Sequence, residues 1–210
     1  MIRIIDYKAG NAPSVLHAVK HLGFAADYAR GAKDFGDATH IILPGVGTAK
    51  ATMASLKAMN LPAKLEKAVM KKKVPFLGIC VGMQVLFEQS EEDNITPGLG
   101  WLKGNVVKYD TDSVRVPQMG WNQVRFVKDT PLTSVDGRLQ QPEPEYFYFV
   151  NSYHVKPDDE DDIWAVSDYG GAFVAGVQHE NIYATQFHIE KSGEAGLRLL
   201  KRFLELEREI

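Results

Sequence analysis

The stretch Phe76-Leu77-Gly78-Ile79-Cys80-Val81-Gly82-Met83-Gln84-Val85-Leu86-Phe87-Glu88-Gln89 decides the fold. Val74 to Ile79 is a short apolar run that reads as a strand, and Val81 to Gln89 reads as a helix. Between them stands Cys80, the one cysteine of the chain. Gly78-Ile79-Cys80-Val81-Gly82 has the form Gly-x-nucleophile-x-Gly, the pattern of a tight strand-to-helix elbow that presents a side chain. Small residues on both flanks let the backbone turn without collision. A helix starting at Val81 would point its dipole and free N–H groups at the sulfur, favouring thiolate and offering a place for an oxyanion. The competing reading is a buried structural cysteine, since free cysteines pack as small hydrophobes.

The same strand-to-helix unit recurs on either side. Met1 to Asp6 reads as a strand, and Ala12 to Leu22 as a helix with Val15, Leu16 and Val19 at helical spacing. Thr39 to Leu43 is a second strand, closed by Pro44-Gly45-Val46-Gly47. Ala49 to Met59 and Ala63 to Lys72 read as helices. Further on, strand signals dominate, over Asn105 to Tyr109, Gln123 to Val127, Tyr146 to Val150, Ile163 to Ser167, Ala172 to Val177 and Ile182 to Gln186. Turn residues such as Asp168-Tyr169-Gly170-Gly171 join several of them. The chain closes with a helix over Gly193 to Glu209, striped by Leu197, Leu200, Phe203 and Leu204. The fold expected is α/β: an open, mostly parallel central sheet flanked by helices, with an antiparallel annex. No composition shift marks a linker, so residues 1–210 read as one domain.

Composition narrows the function classes. The 210 residues are 45% hydrophobic and 24% charged, with a net charge of -3. That balance suggests no general affinity for nucleic acid or anionic membrane. One cysteine excludes an intramolecular disulfide and a multi-cysteine metal site. No apolar run approaches the ~20 residues of a membrane span, and the N-terminus lacks a signal-peptide core. A cytoplasmic protein is expected. Lys71-Lys72-Lys73 reads as a solvated helix end, and the acidic run from Asp158 to Asp162 as a loop.

A thiol nucleophile needs a base, and the base an orienter. His188 lies in Tyr183-Ala184-Thr185-Gln186-Phe187-His188-Ile189-Glu190-Lys191. If the backbone stays extended there, His188 and Glu190 share a side and Phe187 and Ile189 face the other way. The alternative is a strand-end histidine beside a surface glutamate. His17, His21, His40 and His179 read as surface or packing residues. Pro44-Gly45-Val46-Gly47 can aim backbone N–H groups at an anion. A phosphate loop is disfavoured because Thr48-Ala49-Lys50 lacks the Gly-Lys-Ser/Thr ending. Half of an oxyanion hole is the other reading.

These three elements, in this order, resemble class I, triad-type glutamine amidotransferases. Further segments resemble the glutaminase subunits of imidazole glycerol phosphate synthases: Ile5-Asp6-Tyr7-Lys8-Ala9-Gly10-Asn11, Met119-Gly120-Trp121-Asn122, Tyr148-Phe149-Val150-Asn151-Ser152-Tyr153 and Lys191-Ser192. The resemblance spans essentially the whole chain and implies a flavodoxin-like amidotransferase fold. It also implies a mechanism in which Cys80 attacks the amide of L-glutamine, His188 shuttles protons and Glu190 orients it. Val81 and the Gly45, Val46, Gly47 turn would bind the oxyanion. Gln84, Asn151, Ser152 and Tyr153 would bind the amino-acid end of glutamine. Asn11, Trp121 and Lys191 match positions at the interface with a (β/α)8 cyclase subunit, which receives the ammonia in a heterodimer. Without the family, these three read as a helix cap, a core aromatic and a surface lysine. No metal and no organic cofactor are implied. The isolated chain is expected to be nearly silent.

Three residues depart from the family pattern. Ile189 replaces the proline of His-Pro-Glu, Asn151 replaces a histidine, and Lys8 replaces a common glycine. Two other functions remain in play: a paralogous glutaminase feeding a surface-sugar amidation synthase, and a non-catalytic binding subunit of the same fold.

Overall fold

A computed structural model describes residues 1–8, 10–135, 138–139 and 144–207. Ala9 of the N-terminal motif, and residues 208–209 of the expected final helix, lie outside them. In chain order the strands are β1 (Ile2–Ile5), β2 (Ala26–Ala29), β3 (His40–Gly45), β4 (Phe76–Cys80), β5 (Gln89–Ser90), β6 (Thr96–Pro97) and β7 (Gly104–Lys108). They continue as β8 (Gln118–Phe126), β9 (Ser134–Val135), β10 (Arg138–Leu139), β11 (Glu145–Asn151), β12 (Tyr153–Pro157), β13 (Ile163–Asp168), β14 (Ala172–His179) and β15 (Ile182–Thr185). The helices are α1 (Ala12–His21), α2 (Ala49–Ala58), α3 (Pro62–Glu66), α4 (Val81–Gln84) and α5 (Gly193–Leu204).

The parallel half of the sheet runs β2-β1-β3-β4-β15. From β15 the sheet continues through antiparallel β14 to β12 and β7, and β13, β8 and β11 branch from β14 as the annex. Strands β1, β3, β4 and β15 of the parallel half are apolar because helices cover both faces, while β2 is the half-exposed edge. Ile4, Ile5, Ile41, Ile42, Leu43, Phe76 and Leu77 are all fully buried. Each such side chain contributes about 1.5–3 kcal/mol relative to exposure. Helix α1 buries Ala12, Val15, Ala18 and Val19, one stripe at three- and four-residue spacing. Helix α5 buries Leu199, Leu200, Phe203 and Leu204 likewise.

The structure revises four local expectations. The helix expected over Val81 to Gln89 ends at Gln84. Its next three carbonyls, from Val85, Leu86 and Phe87, accept from the returning N–H groups of Leu99, Leu102 and Gly100, so tertiary bonds replace helical ones. Gln89 then enters β5. The helix expected over Ala63 to Lys72 is α3 followed by a wider π-type turn, Lys67–Lys71. Strand β8 begins at Gln118, not Gln123, because Gly120-Trp121-Asn122 pairs residue by residue with Phe149, Tyr148 and Phe147 of β11. The acidic loop contains a turn, Glu160–Asp162, in which buried Asp162 accepts His179 Nδ1 at 2.8 Å.

Candidate active site

Cys80 has φ 55° and ψ -111°, a conformation that costs a non-glycine residue about 1–3 kcal/mol and persists only when its surroundings impose it. The surroundings are backbone. A Cβ on Gly78 would lie 2.6 Å from the Gly82 carbonyl oxygen, and one on Gly82 would overlap the carbonyl oxygen of Leu43 in β3. Strand end, elbow and neighbouring strand therefore meet with no room for side chains. The β3–β4 register pairs Gly45 with Cys80, so the Pro44 to Gly47 turn lies beside the thiol. Tyr7 closes this corner: its hydroxyl meets Thr52 Oγ1 at 3.4 Å and the Val46 backbone, and burial raises its pKa. Helix α4 has only four residues, so the dipole expected behind Cys80 shrinks to the N–H groups of a single turn.

His188 follows β15 with φ -79° and ψ 93°, and the chain then enters a one-turn 3-10 helix, Ile189–Lys191. This corrects the extended backbone expected there. The turn, not strand alternation, brings His188 Nδ1 to Glu190 Oε1 at 2.9 Å. Phe187 and Ile189 are both fully buried, and Phe187 packs on Phe147 with ring centroids 4.3 Å apart. Lys191 N donates to His188 O at 3.0 Å, and Ser192 Oγ donates to the same carbonyl at 2.6 Å. Burial of Ile189 and these bonds supply the restraint that proline gives the family pattern.

The imidazole and the carboxylate are sealed, at 1% and 0% side-chain exposure. Burial lowers the His188 pKa, but the Cys80 thiol and the Glu190 carboxylate more than offset this and lift it to about 10. Nε2, the nitrogen not held by Glu190, is buried without a hydrogen-bond partner among the described residues. Asn11 supplies an unexpected contact: its Nδ2 donates to Glu190 Oε1 at 2.6 Å, across 179 positions of sequence. Asn11 stands at the N-cap position of α1, as the helix-cap alternative has it, but its side chain makes no capping bond there and turns to Glu190 instead.

Cys80, Val81, His188, Val46, Gly47 and Gln84 share a cavity of about 280 Å³ with Asn151, Ser152 and Tyr153. That volume suits an amino acid and is small for a nucleotide. Gln84 Nε2 donates to the Tyr153 carbonyl and to Gln186 Oε1, both at 3.0 Å. Asn151 Nδ2 donates to the same carbonyl at 3.0 Å and to Tyr109 Oη at 3.1 Å, and Tyr109 Oη donates to Gln118 Oε1 at 3.1 Å. Asn151 therefore braces the wall through its side chain.

Glu92 also lines the cavity and was not anticipated. Its carboxylate accepts Ala49 N at 2.7 Å, at the start of α2, while burial raises its pKa. It reaches the site only because the chain leaves the helix after Gln84, which no local pattern announces. Gln186 stands two residues before His188, just past the end of β15.

The expected interface residues lie around one side. Trp121 is 55% exposed, meets Tyr148 edge-on at 6.1 Å and shares its sheet face with exposed Met119 and Tyr146. A core position for Trp121 is thus ruled out. Lys191 is exposed and lines a second hollow, about 530 Å³, with Pro13, Ser14, His17 and Glu190. Lys8 is exposed with φ 66°. Among the described residues, no group of three or more His, Cys, Asp or Glu can hold a metal, and no helix is long and apolar enough to cross a membrane.

A strained cysteine elbow at the carboxyl end of a parallel strand, with a buried histidine lining the same cavity and a glutamate bonded behind it, gives an α/β fold with a candidate site for thiol-nucleophile acyl transfer. The family model "Glutamine amidotransferase class-I" matches residues 3–206, and the chain belongs to that family. It is 45% identical over 209 residues to "Imidazole glycerol phosphate synthase subunit HisH" of Methanocaldococcus jannaschii, covering 98% of this chain and all of that one. It is 42% identical over 208 residues to "Imidazole glycerol phosphate synthase subunit HisH 1" of Campylobacter jejuni, with the same coverage. Among solved structures, one titled "Crystal structure of glutamine amidotransferase" superposes with a TM-score of 0.75 over 98% of both chains at 18% identity, a likeness of fold.

Proposed function

We propose that this chain is the glutaminase subunit of an imidazole glycerol phosphate synthase. It hydrolyses L-glutamine to glutamate and ammonia as one domain over residues 1–210, in the cytoplasm. It passes the ammonia to a (β/α)8 cyclase subunit that makes imidazole glycerol phosphate and an aminoimidazole carboxamide ribotide in histidine biosynthesis. Full-length identity to the named relatives supports the pathway. The observation that carries the chemistry is His188, which lines the cavity that holds Cys80 and is bonded to Glu190 at 2.9 Å behind it.

The imidazolium of His188 favours a thiolate opposite it. The sulfur bonds to the side-chain amide carbon, and the charge moves to the amide oxygen. Val81 N–H and an N–H of the Gly45 to Gly47 turn receive that charge. His188 gives its proton to the departing nitrogen, which leaves as ammonia and leaves a γ-glutamyl thioester on Cys80. Water then attacks the thioester while His188 takes its proton, and glutamate departs. Glu92 holds the α-ammonium of glutamine, and Gln84 with the Asn151 to Tyr153 wall shapes the rest of its amino-acid end. The cyclase covers Met119, Trp121, Tyr146 and Lys191, close to Asn11.

The test is ammonia release from glutamine by the chain alone, with the cyclase, and with the cyclase and its ribotide ligand. Stimulation by both is expected; full activity of the isolated chain would refute partner dependence. The same assay separates a second reading, a paralogue feeding a surface-sugar synthase. Stimulation by a cyclase but not by the ribotide would favour it.

A further inference from the structure

Gln186 is fully buried, and its Nε2 lies 3.6 Å from the Cys80 sulfur. The oxygen and nitrogen of a side-chain amide are told apart by their partners, and here the partners settle both glutamines. The Tyr153 carbonyl can only accept, so the end of Gln84 that meets it at 3.0 Å is the nitrogen. That same nitrogen meets Gln186 at 3.0 Å, so Gln186 presents its oxygen there and its NH₂ to the sulfur. A main-chain bond from Gln186 N to the Ala175 carbonyl, 2.8 Å, holds the residue in place. The sulfur also lies 3.9 Å from the Val150 carbonyl, which suits a thiol and repels a thiolate.

We propose that Gln186 is a further catalytic residue: its side-chain N–H donates to the Cys80 sulfur and stabilises the thiolate, and Gln84 is the positioning residue that turns that N–H toward it. Gln84 then has two tasks, one on the substrate wall and one behind the nucleophile. The proposal rests on Cys80 being the nucleophile. The charged and titratable groups around the sulfur are His188 from the 3-10 turn, Tyr7 from the N-terminal loop, Tyr109 beyond β7, and Glu92 across the cavity. These groups bond other partners (Glu190, Thr52, Asn151 with Gln118, and Ala49), so changing Gln186 removes none of those bonds.

The chain has one cysteine, so the pH profile of its alkylation by iodoacetamide reports on Cys80 alone. In Gln186→Met, which keeps the length and removes the donor, the midpoint should rise by about one pH unit, roughly tenfold slower alkylation below it. Gln186→Glu should rise further. A variant that melts cooperatively with its midpoint unmoved would overturn the proposal. Should both variants fail to fold, the side-chain ¹⁵NH₂ resonance of Gln186 in the unmodified chain provides the reading. It should move as the thiol titrates and lose that movement in Cys80→Ala; a resonance indifferent to both would also overturn it. Labelling of the unmodified chain by a glutamine analogue tests the nucleophile separately, so the two failures are distinguishable.

Discussion

Asn11→Ala separates two roles that the chain superposes on one side chain. Asn11 is expected at the partner face, yet its Nδ2 is bonded at 2.6 Å to Glu190 Oε1, the oxygen that also takes His188 Nδ1. The Glu190 side chain is fully buried, and its other oxygen has no partner among the described residues. Removing Asn11 leaves a buried carboxylate with one bond. A hydrogen bond to a charged group contributes about 1.5–3 kcal/mol. At about 2–4 °C per kcal/mol for a chain of this size, Tm should fall by roughly 3–12 °C. If half or more of that loss reaches the transition state through a loosened imidazole, kcat falls about tenfold. The assay is ammonia release at saturating glutamine and saturating cyclase, with cyclase affinity measured separately. Asn11→Asp sets a second carboxylate against Glu190 and should be worse than alanine at pH 8, recovering as pH falls and the pair shares a proton. Full recovery of Asn11→Ala by excess cyclase would refute the reasoning, since the residue would then serve the interface only.

Glu92→Gln should raise KM for glutamine tenfold or more while leaving Tm equal or higher at neutral pH, because a carboxylate whose pKa is raised by burial is a cost to the folded chain; a lower Tm with unchanged KM would assign it to structure instead. The His188 pKa, about 10 when folded against about 6.5 when unfolded, adds stability that is complete below pH ~6.5 and is lost as pH rises through about 10. Urea unfolding between pH 6 and 10 should show that decline, and Cys80→Ala should flatten it. Trp121→Ala should change the stability of the isolated chain by less than about 1 kcal/mol, since the ring is largely exposed, but weaken cyclase binding about thirtyfold or more; surface plasmon resonance reads the second quantity and calorimetry the first.

The architecture was largely legible. Apolar runs located β1, β3, β4, β11, β13, β14 and β15, because strands covered on one or both faces must be built from such residues. Strand β2 was missed since its exposed edge alternates polar residues, and β12 since Tyr153-His154-Val155-Lys156-Pro157 lacks an apolar run. The end of α4 was misread because Leu and Phe at helical spacing looked like a continuing helix. Its carbonyls had another partner, the 98–102 segment, which only the folded chain provides.

The site divides in the same way. Local chemistry in the order of residues dictated the elbow, since Gly78 and Gly82 clear the backbone contacts on either side of Cys80, and it named His188 with Glu190 as its companions. Tertiary structure decided how they meet: through a 3-10 turn, with Asn11 reaching Glu190, Gln186 reaching the sulfur, and Glu92 carried into the cavity. Contacts across tens to nearly two hundred positions leave no periodic trace in a sequence. Hydrogen bonds of this kind depend on where two separate backbones end, to within a few tenths of an ångström, and only the packed sheet sets that distance.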